Sequence, residues 1–244
     1  MSATIEIKNL IKDFGTIKAL DGISFNTRKG DIIALLGPNG AGKSTLMNII
    51  TGYLSATAGS VVVLGKDIKQ DPIFVRENIG FLSEGAPLYP DLTVRTFLTY
   101  MAELRGFKGI EKKREVDNAA DVANVKNILN QKIETLSKGY SRRVGFAQSV
   151  IGNPPILLLD EPTDGLDPNQ KEHMRNLISK MGKDKTIIIS THLLEEAETI
   201  CNRIILINEG QIMTDGTLEE VLKKTKSKTL ADTFKKLTNS KEKK

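Results

Sequence analysis

The N-terminal part of the chain contains short segments in which apolar and polar residues largely alternate. IEIKNL, GISFN and VVVLG are the main examples, and each lies close to residues that favour turns. Alternation with a period of two is typical of strands that bury one face and expose the other. The pattern therefore predicts antiparallel strands in this region.

A second group of segments is apolar at nearly every position. IIALL covers residues 32–36, ILLL directly precedes Asp160, and TIIIS covers residues 186–190. Runs of this kind are typical of strands that are buried on both faces of a partly parallel sheet. These segments predict an α/β core.

Between about residues 86 and 150 the pattern changes to a helical period. The segment DLTVRTFLTYMAELRG begins with two candidate capping residues, Asp91 and Thr93. After them, apolar side chains recur with the spacing of one helix face, at Val94, Phe97, Leu98, Met101 and Leu104. We interpret this stretch as a helical lobe inserted into the α/β core.

The composition fits a globular chain. Its 244 residues, of which 39% are hydrophobic, suffice for one large domain or one domain with an inserted lobe. The longest apolar runs are far shorter than the roughly 20 residues of a membrane helix, and the N-terminus lacks a signal core. The single cysteine, Cys201, cannot form an internal disulfide and suits a reducing compartment. We therefore expect a cytoplasmic chain that does not itself cross the membrane.

The net charge of +5 is concentrated at the C-terminal end. From Leu222 onward nine lysines accompany two acidic residues, which gives +7 and leaves the first 221 residues at −2. We interpret residues 221–244 as a basic, solvated tail that is partly disordered, with contact to phospholipid head groups or a partner as the alternative. No nucleic-acid partner is expected, because such binding favours a basic body.

Residues 37–44 fit the phosphate-binding pattern G-x-x-x-x-G-K-[ST], between an apolar strand and a helical run. Glycines let the backbone wrap round a phosphate, Lys43 neutralises the β and γ oxygens, and the Ser44 hydroxyl can bind Mg²⁺. A Gly-rich turn without a ligand is the alternative, which this full match disfavours. The predicted ATP-binding residues of this loop are Gly37, Pro38, Asn39, Gly40, Ala41, Gly42, Lys43, Ser44 and Thr45.

Candidates for hydrolysis follow two later strands. In ILLLDEP, Asp160 is a candidate Mg²⁺ ligand, and Glu161 is a candidate for orienting and deprotonating the attacking water. By themselves these two carboxylates could equally cap a helix. His192 follows TIIIS at a strand edge where open α/β sheets bind ligands, and could contact the γ-phosphate and the water. His173 lies in a charged helical stretch and is interpreted as structural.

A second candidate anion site lies in TLSKGYSRRVGFAQSV, residues 135–150. A helix start that carries the Ser137 hydroxyl and Gly139, with Arg142 and Arg143 nearby, suits an anion. The alternative is that this segment only caps a helix. One ATP in one chain does not need two separated phosphate sites, so the second site raises the question of what it binds.

Five segments, taken in order, resemble motifs of the ATP-binding cassette (ABC) ATPases over roughly residues 3–220. GPNGAGKST resembles the Walker A motif, LSKGY the signature, ILLLDEP Walker B, TDGLDP the D-loop and STHLLEEAE the switch-histidine segment. The resemblance implies an α/β fold with a P-loop NTPase (RecA-like) core, an antiparallel β subdomain and an inserted helical subdomain. It also implies one ATPase domain over residues 1–220.

In this family two cassettes pack head to tail, and each ATP lies between the P-loop of one and the signature of the other. The resemblance therefore implies that Ser137, Lys138 and Gly139 bind the partner's ATP. It further implies that Asp167 is the D-loop aspartate that crosses the dimer interface. From the residues alone, Asp167 is as well explained as a turn residue beside Pro168.

The resemblance also implies roles for two further residues. Phe14 resembles the aromatic residue that stacks on adenine, although a single Phe between short strands is more often a core residue. Glu84 lies at the Q-loop position, where the family usually has Gln, and a carboxylate there could also bind Mg²⁺. In the signature, Lys138 and Tyr140 replace the usual Gly and Gln.

These departures, together with LYPDLTV, resemble the ABC-2-type exporter branch, whose membrane subunits are separate chains. The implied function is an ATP-binding and ATP-hydrolysing transporter subunit, peripheral on the cytoplasmic face of the membrane. It would dimerise with itself or with a second cassette around two Mg²⁺-ATP and drive export through permease subunits. The alternatives are a soluble non-transport cassette, as in iron–sulphur assembly, a small-molecule kinase, and an inactive binding module.

Overall fold

The computed structural model describes residues 3–85 and 87–238. In these ranges the strands are β1 (Ile5–Asp13), β2 (Lys18–Thr27), β3 (Ile32–Leu36), β4 (Ala58–Val63), β5 (Lys66–Asp67), β6 (Ile79–Leu82), β7 (Ile156–Asp160), β8 (Thr186–Ser190), β9 (Arg203–Asn208) and β10 (Gln211–Gly216). The α-helices are α1 (Lys43–Ile50), α2 (Pro72–Glu77), α3 (Val94–Leu104), α4 (Gly109–Val122), α5 (Lys138–Val150), α6 (Pro168–Met181), α7 (Leu194–Ile200), α8 (Leu218–Thr225) and α9 (Leu230–Thr238). None of these helices is both long and apolar enough to cross a bilayer.

Four strands form an antiparallel sheet in the order β2, β1, β4, β5. Strand β1 pairs with both β2 and β4, and its alternate residues Ile5 and Ile7 are buried. The same core cluster contains Leu46 of α1 and Leu35 of β3, so this sheet packs against the element that follows the phosphate loop. The predicted antiparallel strands are confirmed.

Six strands form the central sheet in the order β10, β9, β3, β8, β7, β6. Strand β10 pairs antiparallel with β9, and the remaining pairs are parallel. Every residue of β3, β7 and β8 is buried, which confirms the α/β core predicted from the continuous apolar runs. The register pairs Ser190 with Leu35 on one side and with Asp160 on the other, so three strands end at one edge.

Three helices, α3 to α5, lie between β6 and β7 in the chain, over the stretch with the helical period. Thr93 caps α3, because its side chain accepts a hydrogen bond from the Thr96 amide. The helix buries Phe97 and Leu98 as its spacing predicts, whereas Leu104, the last residue of the predicted apolar face, is 63% exposed. The apolar face therefore ends before the helix does.

Helix α5 packs very closely on β6. A Cβ atom added at Gly80 of β6 would lie 1.9 Å from the carbonyl oxygen of Ser149 in α5. Glycine is required at this position because any side chain would meet backbone atoms. This contact holds α5 close against β6, the edge strand of the central sheet.

The C-terminal part differs from the solvated tail that the charge pattern predicts. Helix α8 begins with a capping box in which Thr217 and Glu220 exchange hydrogen bonds, and Val221 and Leu230 are fully buried. Both belong to a core cluster with Leu206 of β9, because the apolar residues of α8 and α9 share faces that pack on the sheet. The lysines of residues 222–238 are exposed, and residues 239–244 lie outside the described residues.

Candidate functional site

The loop between β3 and α1 passes close to two neighbouring strands. A Cβ atom at Gly37 would lie 2.2 Å from the Ile207 carbonyl oxygen, and one at Gly42 would lie 2.4 Å from the Ala19 carbonyl oxygen. Gly42 also has a φ of 106°, in the region that favours glycine. These glycines are needed for the path of the loop between its neighbouring strands.

Lys43 lies at the start of α1 with only 8% of its surface exposed. Its Nζ donates hydrogen bonds to the Gly37 carbonyl at 2.7 Å and the Pro38 carbonyl at 3.0 Å. Burial lowers the pKa of Lys43, while the carboxylates of Glu161, Asp160 and Glu84 oppose that shift. The loop therefore holds a cation that faces the carboxylates of the later strands.

A cleft of about 300 Å³ opens above this loop. Among the described residues, its walls contain nine of the predicted site residues: Asn39, Gly40, Gly42, Lys43, Ser44, Thr45, Glu84, Asp160 and Glu161. Two further residues of the lining, Ala19 of β2 and Ser190 of β8, were missed by the sequence analysis. They have no local signal, because they reach the cleft only through the pairing of their strands.

Glu161 has an unusual backbone conformation. It directly follows buried Asp160, the last residue of β7, and its φ is 51°, which is uncommon for a residue other than glycine. Its N–H donates to the Ser190 carbonyl at 2.9 Å, and its own carbonyl accepts from the Arg142 guanidinium. The turn after β7 is thus held at both of its peptide groups.

The Glu161 side chain contacts His192. The Oε1 atom lies 2.9 Å from Nδ1 of the imidazole, and the carboxylate accepts this hydrogen bond when Nδ1 carries the proton. Burial raises the pKa of Glu161, and the hydrogen bond to His192 opposes the shift. One carboxylate oxygen is therefore oriented, while His192 remains 59% exposed at the rim.

A buried carboxylate lies behind this pair. Glu196 of α7 is 1% exposed and accepts hydrogen bonds from the hydroxyls of Thr163 and Thr191. Thr163 lies two residues after Glu161, and Thr191 directly precedes His192. Glu196 therefore ties together the two loops that carry the Glu161 and His192 side chains, a role that the sequence analysis did not identify.

The cleft suits a magnesium ion that is bound together with phosphates. Ser44, Asp160 and Glu84 line the same cleft, as predicted, and the buried Ser190 Oγ has no hydrogen-bond partner among the described residues. Within those residues no group of three His, Cys, Asp or Glu side chains could hold a metal by itself. Mg²⁺ commonly binds one or two carboxylates together with substrate phosphates and waters, which this donor set fits.

The predicted signature residues lie outside the described lining of this cleft. Ser137 is exposed and caps α5, because its Oγ accepts a hydrogen bond from the Tyr140 amide. Lys138 pairs with Asp164 at 2.8 Å. Gly139 is buried against α6, where an added Cβ would lie 2.7 Å from the Gln170 side chain. The helix start thus presents Ser137 and Lys138 on an exposed surface apart from the P-loop, while Gly139 is covered by α6.

The prediction that Arg142 and Arg143 lie beside an anion is wrong. Arg142 is 5% exposed and its guanidinium donates to the carbonyls of Ser83, Asp160 and Glu161. Arg143 is 9% exposed, and its guanidinium lies 5.3 Å from the centre of the Tyr140 ring. Both side chains point inward because α5 is buried along most of its length.

Two other predicted residues also lie outside the described lining. Asp167 caps α6, accepting from the Gln170 amide at 2.9 Å, so within one chain it acts as the turn residue beside Pro168. Phe14 is 55% exposed, which excludes the core alternative, and the Lys12 ammonium lies 4.7 Å from its ring centre.

Comparison with known proteins identifies a family. The family profile described as "ABC transporter" matches residues 20–164. An uncharacterized ABC transporter ATP-binding protein of Methanocaldococcus jannaschii is 38% identical over 92% of this chain and 81% of the relative. Nod factor export ATP-binding protein I of Burkholderia thailandensis is 35% identical over 88% of this chain and 71% of the relative. The probable multidrug ABC transporter ATP-binding protein YbhF of Escherichia coli is 35% identical over 89% of this chain, which spans only 38% of that relative.

Solved structures share the fold over most of the chain. The structure of an ATP binding subunit of an ABC transporter has a TM-score of 0.88 at 26% identity, over 96% of this chain and 99% of its own. The dimeric structure of a post-hydrolysis state of an ATP-binding cassette, bound to ADP and Pi, has a TM-score of 0.81 at 28% identity, over 88% and 98%.

Proposed function

Because the chain belongs to the ABC transporter family of ATP-binding proteins, we propose that it hydrolyses ATP as the ATPase subunit of a transporter. The observation that carries this proposal is the cleft in which Lys43 faces Asp160 and the hydrogen-bonded pair of Glu161 and His192. A phosphate-binding cation, a metal-binding carboxylate and an oriented base are the groups that ATP hydrolysis requires.

The chemistry follows from these positions. Glu161, held by His192, orients a water in line with the γ-phosphorus and accepts its proton as the new P–O bond forms. The bond between the γ-phosphorus and the bridging oxygen breaks, and its electrons leave with ADP. Lys43 and the loop N–H groups stabilise the negative charge on the phosphate oxygens. Ser44, Asp160 and Glu84 would hold a Mg²⁺ ion, which would neutralise negative charge on the phosphates.

The exposed start of α5 supports a dimer with two shared ATP molecules. Ser137, Lys138 and Gly139 form a helix start apart from their own chain's cleft, and such a start suits a phosphate. We place the partner's γ-phosphate there, with Asp167 at the interface. The dimeric solved cassette bound to ADP and Pi supports this arrangement. The partner is a second copy or another cassette.

Adenine recognition is assigned to Phe14. Its ring is exposed in the turn between β1 and β2, the strand that contributes Ala19 to the cleft wall, and an exposed aromatic ring is suited to stacking on a base.

An exposed surface on and next to α3 suits the membrane subunits. Tyr89 is 53% exposed and its ring packs edge-on against Tyr100 of α3, 6.0 Å between centroids, while Leu104 is exposed on the same helix. Exposed aromatic and aliphatic side chains of this kind are typical of a protein interface. We propose that separate permease chains dock there and hold the protein peripherally on the cytoplasmic face. The Nod factor export relative supports export as the direction.

The experiment that tests this function is light scattering of purified Glu161→Gln protein with and without Mg²⁺-ATP. We expect a monomer that becomes a dimer with ATP, because binding is retained while turnover is blocked. The Lys43→Ala, Glu161→Gln double variant is the control and should remain a monomer. Full ATPase activity of Glu161→Gln would contradict the role of Glu161, and co-purification with soluble proteins alone would favour a non-transport cassette.

A further inference from the structure

The Arg142 side chain joins two separate segments of the site. It belongs to α5, it is 5% exposed, and its Nη1 donates to the Ser83 carbonyl at 3.1 Å. Its Nη2 donates to the carbonyls of Asp160 and Glu161. One guanidinium therefore holds the ends of β6 and β7 through three backbone oxygens, a task that suits a planar fork of N–H donors.

Each of these carbonyls belongs to a residue of the site or to its neighbour. Ser83 directly precedes Glu84, and Asp160 and Glu161 are the candidate metal ligand and base. The contacts are to the backbone, so they leave the carboxylate oxygens facing the cleft. Arg142 therefore affects the positions of these side chains without touching the substrate.

The backbone of Glu161 depends on such support. Its φ of 51° lies in the left-handed region, which is unfavourable for a residue with a side chain. Arg142 holds the carbonyl of this residue, and Ser190 holds its N–H. Without Arg142 the turn loses one of these two restraints, and the Glu161 carboxylate loses its fixed direction.

Burying a charged arginine costs free energy, and the N–H groups of Arg142 are only partly satisfied by hydrogen bonds. Burial lowers the pKa of Arg142, and the carboxylates of Asp164, Asp160, Glu161 and Glu84 oppose that shift. Its Nε has no hydrogen-bond partner among the described residues. If this position served only for packing, an apolar side chain would fill it with a smaller loss of free energy on burial.

The position of Arg142 on α5 connects this support to the second anion site. It lies five residues after Ser137, roughly 8 Å along the helix axis, and a helix moves as a rigid element over that length. We infer that Arg142 is a positioning residue that relays phosphate binding at the start of α5 to Glu161 and Glu84 in the cleft of the same chain. This inference rests on the proposed function, in which the partner's ATP binds at Ser137 and Gly139.

Arg143 provides a matched control. It is the next residue on the same helix and is also buried, but its guanidinium reaches the Asn124 carbonyl at 3.5 Å and the Tyr140 ring. Those contacts lie within the helical lobe. Substitution of Arg143 therefore removes a buried cation from α5 without removing a contact to β6 or β7.

The test compares Arg142→Met, Arg142→Lys and Arg143→Met in the full chain. For Arg142→Met we expect kcat to fall about tenfold to a hundredfold, because a small misplacement of a catalytic group has effects of that size. The KM for ATP should change less than threefold, and the Hill coefficient for ATP should fall towards 1. Arg142→Lys should recover part of kcat, and Arg143→Met should retain kcat within about twofold at a matched thermal stability.

A second measurement does not depend on turnover. In the Glu161→Gln background, ATP-driven dimerisation should slow amide hydrogen exchange at residues 83–85 and 160–163. Adding Arg142→Met should abolish that protection while the dimer still forms, because Ser137 and Gly139 are unchanged. If Arg142→Met proves less stable than the parent, the exchange protection of Arg142→Lys can be measured in the same way.

Three results would overturn the relay. They are unchanged kcat and cooperativity in Arg142→Met, an equal loss in Arg143→Met, or full exchange protection without Arg142. If the Glu161→Gln chain never dimerises with Mg²⁺-ATP, the proposed function fails and the relay fails with it. If that dimer forms and the protection is independent of Arg142, the relay alone fails.

Discussion

The Nδ1 atom of His192 lies 2.9 Å from Oε1 of Glu161, although 31 residues separate them in the sequence. The two residues follow neighbouring parallel strands, β7 and β8, which end at the same edge of the sheet. Their loops are joined again by Glu196, which accepts hydrogen bonds from Thr163 and Thr191. The Glu161 side chain is therefore oriented directly by His192, and the two loops that carry the pair are held together by Glu196.

His192→Ala should reduce kcat by at least tenfold with little change in nucleotide affinity. Without the imidazole, the carboxylate of Glu161 loses its orienting hydrogen bond, and positioned acid–base groups typically contribute factors of 10² to 10⁴. Steady-state ATPase assays and titration with a non-hydrolysable ATP analogue measure the two quantities separately. His173→Ala is the control, because His173 is exposed on α6. Equal kcat in the two variants would contradict the role of His192.

Ser137→Ala should weaken both α5 and the ATP-driven dimer. Loss of a Ser or Thr helix cap lowers the free energy of unfolding by about 1 kcal/mol. Thr217→Ala removes the cap of α8 and should cost a similar amount. Light scattering in the Glu161→Gln background should show at least tenfold weaker dimerisation for Ser137→Ala alone. If both variants dimerise like the parent, Ser137 is only a helix cap.

Lys138→Met should raise the pKa of Asp164. The hydrogen bond from Lys138 is the main cause that lowers this pKa in the folded chain. A lowered pKa means that the pair stabilises the fold above the ordinary pKa of an aspartate, and that this contribution is lost as the pH falls through the lowered value. Both side chains are largely exposed, so the contribution is no more than about 1 kcal/mol.

Carbon NMR of the Asp164 carboxyl group during a pH titration measures this pKa directly. Lys132→Met is the control, because Lys132 is another exposed lysine that pairs instead with Glu134. An Asp164 pKa that is the same in the parent and in Lys138→Met would contradict the ion pair.

Gly80→Ala should lower the free energy of unfolding by about 3 kcal/mol, at the upper end of the usual cost of overpacking. The added Cβ would meet the Ser149 carbonyl oxygen at 1.9 Å, so α5 would have to move away from β6. Urea denaturation measures the change. Gly65→Ala is the control, because its Cβ meets nothing within 4 Å and only its φ of 79° is unfavourable, at about 1 kcal/mol. Equal costs would show that the contact between α5 and β6 can relax.

The sequence by itself determined the features that depend on neighbouring residues. The predicted phosphate loop is one continuous segment, and its glycines, Lys43 and Ser44 could be predicted because the pattern they form is local. The buried strands were equally clear, since residues 32–36, 156–160 and 186–190 carry continuous apolar runs and all of them are buried. Asp160 and Glu161 could be predicted as site residues because they lie at the end of one of these strands.

Only the tertiary structure decided which distant residues meet and which way their side chains point. Ala19 and Ser190 reach the cleft through the pairing of their strands, which no local pattern records. The lysine-rich end looked solvated because charge dominates its composition, but the packing of Val221 and Leu230 on the sheet outweighs that signal. Arg142 and Arg143 looked equivalent in the sequence. Adjacent residues of a helix point about 100° apart, so one guanidinium reaches the turn after β7 and the other reaches the helical lobe.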